Sequence, residues 1–101
     1  ESFNIEIKDT IKEVYEKATQ KSLNILINVL PDIENVKFIK QDKTKLEIWD
    51  KRTPSDGEID FTKSSKEIYD FIRAQSSPYP GAFIKTKDGK KIIIDKARLE
   101  N

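Results

Sequence analysis

Residues 9–30 read DTIKEVYEKATQKSLNILINVL, and this stretch decides the fold of the 101-residue chain. Its apolar side chains recur at intervals of three and four, which is the period of one face of an α-helix. Thr10 is a good N-cap residue, and Glu13 stands three positions later, where a capping box needs a carboxylate. Pro31 cannot continue the helix. The sequence therefore predicts a long helix of about five turns near residues 10–30.

The second half of this predicted helix, residues 23–30, is apolar on nearly all sides. A chain of this size can cover one side of such a helix but hardly two, and each exposed Leu or Ile forgoes about 1.5–3 kcal/mol of burial. The helix either anchors a small core of its own or packs a second face against a larger body. We favour the larger body, since the chain opens at Glu1 without Met or a signal-peptide pattern, and we expect a fragment.

Shorter elements are predicted on both sides of the long helix. Alternating apolar and polar residues predict a short strand over residues 3–8. An S-x-x-E capping box at Ser64 predicts a second helix near residues 64–75. The Asp88-Gly89 turn between two apolar runs predicts a β-hairpin at residues 82–95. The predicted fold class is α+β: a short strand, a long helix, a second helix and a C-terminal β-hairpin, as part of a larger fold.

Composition excludes several kinds of chemistry. The chain has no Cys and no His, so disulfides, thiolate nucleophiles and histidine bases or ligands are excluded. Its three glycines form no phosphate-binding motif. The 19 basic and 18 acidic residues argue against a dedicated nucleic-acid binder. No apolar run approaches the ~20 residues of a membrane span, so we expect no membrane partner. The lack of Cys fits a reducing compartment, although it fits others as well, and we expect a cytoplasmic protein.

Acidic side chains cluster around a turn, at Asp56, Glu58 and Asp60. Paired carboxylates are able to do acid–base work or bind a divalent cation. The alternative, which we favour, is a turn cap with solvated charges, so no residue is assigned as catalytic or metal-binding. Arg73 on the second helix is expected to form a structural ion pair with Asp60 or Asp70.

Two residues that lie three positions apart are the candidates for substrate binding, and a third aromatic residue is an alternative. Trp49 has a ring suited to stacking on a base or a sugar, as has Tyr79, although each is more often packing material. Arg52 lies beside the turn, and its guanidinium is suited to a phosphate or a carboxylate. Trp49 and Arg52 are therefore the predicted substrate contacts.

The predicted hairpin is basic. Residues 83–98 hold six cationic side chains and two carboxylates, a net charge of +4. Such a surface is able to follow phosphates. The alternative, which we favour, is that lysines keep an exposed strand edge soluble and unpaired.

Three stretches together resemble the folate-dependent formyltransferases. Residues 52–61, RTPSDGEIDF, are followed by Ile-Arg-Ala at residues 72–74 and by PYPGAF at residues 78–83. This order resembles the family pattern R-x-P-x-D-G-x-I-D-W … I-R-A … P-(Y/W)-P-G-A-F, with Phe61 at the position of the Trp. Upstream, Asp-Thr at positions 9 and 10, Tyr15 with Lys17, and Gln-Asp at positions 41 and 42 are similar to further family motifs, so the resemblance spans about residues 5–97.

The resemblance implies the following organisation. Residues 1–50 correspond to the last strand and helix of the catalytic domain with a linker, and residues 51–101 to the start of the carboxy-terminal region. Formyltransferases of this family use an upstream Asn, His and Asp to move a formyl group from N10-formyltetrahydrofolate to an amine. The folate is also bound upstream of this region, so no catalytic or cofactor-binding residue is carried over. Longer members close a barrel after PYPGAF, but the tail here is too short for more than a hairpin.

The substrate implied by the PYPGAF form and the short tail is an amino sugar of a nucleotide sugar. One alternative is a methionyl-tRNA formyltransferase segment that contacts tRNA. Another is a non-catalytic RNA or protein interaction module. The resemblance also favours a homodimer formed through the C-terminal hairpin, in which strand alternation places Ile92 and Ile94 on one face and Ile93 on the other.

Overall fold

The computed structural model describes residues 1–100 and has the α+β architecture that the sequence predicts. Two α-helices, two short 3₁₀ turns and one antiparallel β-hairpin follow one another along the chain. The elements are α1 (Ile11–Val29), a 3₁₀ turn (Leu30–Asn35), a second 3₁₀ turn (Pro54–Gly57), α2 (Ser65–Gln75), β1 (Ala82–Lys85) and β2 (Lys91–Ile94). Neither helix of this part of the chain is long and apolar enough to cross a membrane.

Both helices begin at the predicted capping residues. The backbone N–H of Thr10 donates to the Glu13 carboxylate at 2.9 Å. At the second helix, the Ser64 N–H donates to the Glu67 carboxylate at 2.9 Å, and the Glu67 N–H donates to the Ser64 hydroxyl at 3.2 Å. Each pair satisfies backbone groups that a helix start leaves without an intrahelical partner. At its other end α1 stops at Val29, and the proline of the following 3₁₀ turn lies in that turn's first positions.

The hairpin is confirmed, and its turn explains its register. The Thr86 N–H donates to the Lys90 carbonyl at 2.9 Å, and the Gly89 N–H donates to the Thr86 carbonyl at 3.0 Å. Gly89 has φ +79°, the left-handed conformation that suits glycine in a bulged hairpin loop. This turn sets the cross-strand pairs Ala82–Ile94, Phe83–Ile93, Ile84–Ile92 and Lys85–Lys91.

The predicted short strand over residues 3–8 is wrong. This segment is irregular and ends in a turn. A strand needs a neighbour for its backbone groups, and the only two strands in residues 1–100 pair with each other. Carbonyls of the segment instead accept hydrogen bonds from the side chains of Lys17, Tyr69 and Arg73.

The core is small and lies between α2 and the hairpin. Its buried apolar members are Ile59, Ile72, Ala82 and Phe83. Four half-buried side chains pack against it: Ile68, Phe71, Ile84 and Ile94.

No residue of α1 is buried, and Ile27 is 69% exposed. The accessible surface is 9151 Å², against about 5,900 Å² expected for a folded monomer of 11.7 kDa. The radius of gyration of 18.5 Å similarly exceeds the ~13 Å of a compact 100-residue domain. The apolar second half of α1 is therefore uncovered by the rest of the described chain, in agreement with the interpretation that it packs against a larger body.

Candidate functional site

Two of the stretches that carry the resemblance, residues 52–61 and 78–83, lie against each other, and we call this contact the motif junction. The Ile59 N–H donates to the Phe83 carbonyl at 2.9 Å, and Glu58 forms a parallel bridge with Phe83. Residues 58 and 59 therefore take up the outer edge of β1. The junction joins the turn after Arg52 directly to the hairpin.

A close approach of two glycines makes the motif junction possible. A Cβ atom added to Gly57 would lie 2.6 Å from the carbonyl oxygen of Gly81 and 3.5 Å from the Phe83 ring. Gly81 itself has φ +100°, where a side chain is strained. The glycine of the D-G pair is thus required by backbone packing, and the glycine of the P-G pair by its left-handed φ.

The acidic cluster is divided between two local turns. Asp56 accepts from the Thr53 N–H at 2.6 Å, and this bond is the main reason that the pKa of Asp56 lies below its usual value. Asp60 accepts from the Thr62 hydroxyl at 2.6 Å and from the Thr62 N–H at 2.9 Å, which likewise lower its pKa. Asp56 serves as the turn cap that we favoured, and Asp60 caps a second local turn. Residues 1–100 contain no group of three or more His, Cys, Asp or Glu side chains that could hold a metal ion.

The two predicted substrate contacts lie in the irregular segment that leads into the motif junction. Trp49 is 79% exposed. Arg52 has a side chain that is 62% exposed, and its Nε lies 3.9 Å from the Asp56 carboxylate. An exposed pair at that distance contributes little to stability, so the guanidinium remains available to a ligand. The structure does not enclose Trp49 and Arg52 in a common pocket.

Arg73 connects α2 to the amino-terminal segment. Its Nε donates to Asp70 at 2.9 Å, which confirms one of the two predicted ion pairs; Asp60 is bonded to Thr62 instead. Its Nη1 also donates to the carbonyls of Glu6 and Asp9, each at 3.0 Å. No sequence pattern predicts these two bonds, because every residue has a carbonyl.

A contact between two tyrosines ties α1 to PYPGAF. The hydroxyls of Tyr15 and Tyr79 are hydrogen-bonded, and the rings meet edge to face with centroids 6.0 Å apart. Both residues belong to stretches that carry the resemblance. Membership in the same family motifs is the one sequence feature that links the two tyrosines. Tyr79 thus has an intramolecular partner and is less suited to stacking on a ligand.

The basic hairpin uses one of its lysines internally. The ammonium of Lys91 lies 4.3 Å from the centroid of the Phe83 ring, a cation–π contact that helps to cover this buried side chain. Lys85 lies directly opposite Lys91 in the register, and Lys87 and Lys90 are exposed in the turn. The hairpin tip is therefore a solvated cationic surface, which is compatible with both interpretations of its lysines.

The sequence of the chain is similar to those of known formyltransferases, and the matched region includes both stretches of the motif junction. The family described as "Formyl transferase, C-terminal domain" matches residues 51–101. The chain is also similar to the bifunctional polymyxin resistance protein ArnA of Wigglesworthia glossinidia brevipalpis, with 43% identity over 100 residues. That alignment covers 97% of this chain and 15% of the relative, so the chain spans a small part of the relative's length. The match over residues 51–101, half of the chain, establishes that the chain belongs to the formyltransferase C-terminal domain family.

Proposed function

We propose that the chain is the carboxy-terminal portion of a formyltransferase that moves a formyl group from N10-formyltetrahydrofolate to the amine of a nucleotide-linked amino sugar. The observation that carries the proposal is the motif junction. The two stretches that resemble formyltransferase motifs are in direct contact through Gly57 and Gly81, at a distance that no side chain would allow. The family match over residues 51–101 supports the same activity.

The chemistry is assigned to the part of the protein upstream of this chain. In the mechanism that the family implies, the formyl carbon would form a bond to the substrate nitrogen and its bond to N10 of the folate would break, while a proton passes from the substrate nitrogen to N10. An upstream Asn and His would donate hydrogen bonds to the formyl oxygen. This chain has no His, and none of its residues is assigned to catalysis or to the folate. Its own contribution is positional: it holds the segment that bears Trp49 and Arg52 at one end of the motif junction.

We assign residues 1–50 to the end of the catalytic domain and residues 51–101 to the start of the carboxy-terminal region. The exposed apolar face of α1 supports this division. Leu23, Leu26 and Ile27 are between 48% and 69% exposed, and packing them against the sheet of a catalytic domain would bury them.

Arg52 and Trp49 are the proposed contacts to the nucleotide sugar. A guanidinium with one distant carboxylate partner is free to form two parallel hydrogen bonds to a diphosphate. The exposed indole of Trp49, three residues earlier, is suited to stack on the base or the sugar. The Arg52→Ala variant of the full-length enzyme should raise KM for the nucleotide sugar, whereas Lys51→Ala, a charge change in the same segment, should not.

The second candidate is a methionyl-tRNA formyltransferase. The observation that favours it is the net charge of +4 over residues 83–98, most of it at an exposed hairpin tip. Such a surface would bind the phosphates of an acceptor stem in a salt-dependent way.

We also propose a homodimer that forms through the hairpin. The outer edge of β1 is taken by residues 58 and 59, so β2 holds the free edge of the sheet within the described chain. Ile92 and Ile93 on β2 are 50% and 56% exposed. A second copy of the hairpin in a two-fold contact would cover them.

Mass spectrometry of the reaction products tests the proposed function. The full-length protein is incubated with N10-formyltetrahydrofolate and either a nucleotide-linked amino sugar or charged initiator methionyl-tRNA. The proposal predicts that the sugar nucleotide gains the mass of one formyl group and that the tRNA does not. The 101-residue chain alone should turn over neither substrate, because it lacks the upstream residues. Formylation of the tRNA alone would favour the second candidate, and formylation of neither would refute both.

A further inference from the structure

A cleft of about 640 Å³ lies between the amino-terminal segment, α2 and residues 95–99. This volume is typical of a small-molecule site. The motif junction lies elsewhere, and neither Trp49 nor Arg52 lines the cleft. Apolar side chains form much of its wall: Ile7, Tyr69, Ile72, Ala97 and Leu99. Ile7 is 58% and Leu99 43% exposed, so apolar wall is open to a ligand.

Two residues of α2 bind the amino-terminal segment that forms one side of the cleft. Arg73 donates to the carbonyls of Glu6 and Asp9, and the Tyr69 hydroxyl donates to the Ile7 carbonyl at 2.9 Å. These bonds fix the amino-terminal segment against the helix. They use the two Nη1 donors of Arg73, whose Nε donates to Asp70, and the guanidinium charge still contributes to the field of the cleft.

The lining of the cleft carries an excess of positive charge. Five cationic side chains line it, and Asp95 is the one carboxylate among the lining residues. Lys66 is paired with Asp70 and Arg98 with Glu100. Lys8 and Lys96 are exposed and form no ion pair within residues 1–100. Two uncommitted ammonium groups at an apolar cleft fit a ligand with an anionic end and a flat apolar end.

We propose that this cleft binds a nucleoside diphosphate, with its phosphates on Lys8 and Lys96 and its base against the apolar wall that includes Tyr69 and Leu99. Phosphate oxygens satisfy the two free ammonium groups, and a purine or pyrimidine ring covers the exposed apolar wall. The apolar wall has no pattern of donors that would select one base. This inference is independent of the proposed function, because it concerns a cleft that the proposed substrate contacts do not line.

Photolabelling of the full-length protein tests the proposal and locates the site. The probe is 8-azidoadenosine 5′-diphosphate, followed by peptide mapping. We expect label on peptides that contain residues 66–73 or 95–99. ADP and UDP should compete for labelling, while adenosine and pyrophosphate, which each offer half of the ligand, should compete at least tenfold less well, a difference of about 1.4 kcal/mol.

A pair of double variants isolates the two lysines. Lys8→Gln with Lys96→Gln should reduce labelling of the cleft peptides at least tenfold. Lys87→Gln with Lys90→Gln, an equal charge change at the hairpin tip, should leave it within twofold. The proposal is overturned if the cleft peptides carry no label, if both double variants label alike, or if adenosine or pyrophosphate alone competes as well as ADP. Formyl transfer is measured separately, so loss of either result leaves the other interpretable.

Discussion

Replacing Gly57 with Ala should open the motif junction. The new Cβ would lie 2.6 Å from the Gly81 carbonyl oxygen, which belongs to the backbone and has no rotamer to change. Relief requires the turn or the hairpin to move, and overpacking of this kind costs about 1–3 kcal/mol. The movement also lengthens the Ile59–Phe83 hydrogen bond, which adds about 1 kcal/mol. We therefore expect Gly57→Ala to lower the free energy of opening at this junction by about 2–4 kcal/mol.

Hydrogen exchange of the Ile59 amide measures this opening directly, because that amide is the donor across the junction. The matched control is Gly89→Asn. Gly89, unlike Gly57, has a left-handed backbone, which Asn tolerates, and an added Cβ there meets nothing within 4 Å. The control should leave Ile59 exchange unchanged. Equal protection of Ile59 in Gly57→Ala and in the unaltered protein would refute the packing argument.

Three further outcomes are expected. Asp9 has a pKa below its usual 3.8, chiefly through its hydrogen bond from Lys17. The ionised carboxylate therefore stabilises the folded chain above pH 3.8, and this stabilisation is lost as the pH falls through the lowered pKa. The NMR shift of the Glu6 amide, which donates to Asp9 at 2.9 Å, should follow that loss and should not do so in Asp9→Asn. Ser64→Ala should destabilise α2 by about 1 kcal/mol in chemical denaturation, while Ser65→Ala, one position inside the helix, should cost less; equal losses would contradict the cap. Ile93→Lys should convert the full-length protein to a monomer in light scattering, and an unchanged dimer would exclude the hairpin as the interface.

Helix starts and the hairpin turn were predicted closely, because their causes are local. The capping pair of Ser64 and Glu67 lies within one turn of chain, and both of its hydrogen bonds are present. The Asp88-Gly89 pair similarly sets its own turn through a left-handed glycine. Such features depend on residues a few positions apart, which sequence patterns record.

Features that depend on distant partners were missed or were predicted wrongly. The alternation at residues 3–8 is typical of a strand, but no third strand of the described chain lies beside it. The approach of Gly57 to Gly81 joins backbones 24 positions apart, and only the resemblance linked the two motifs. Trp49 and Arg52 stay predictions, since each is exposed and neither has a partner that would decide its role.

The hydrogen bonds by which Arg73 holds the amino-terminal segment, which we call the clamp, have a consequence for mutational tolerance. Its two bonds there end on the carbonyls of Glu6 and Asp9, and every amino acid, including proline, presents that acceptor. Position 6 is therefore free to vary in side chain without loss of the clamp. Position 73 is not, because only arginine offers such a planar array of donors. As far as this contact is concerned, selection should act on position 73 and leave position 6 nearly neutral.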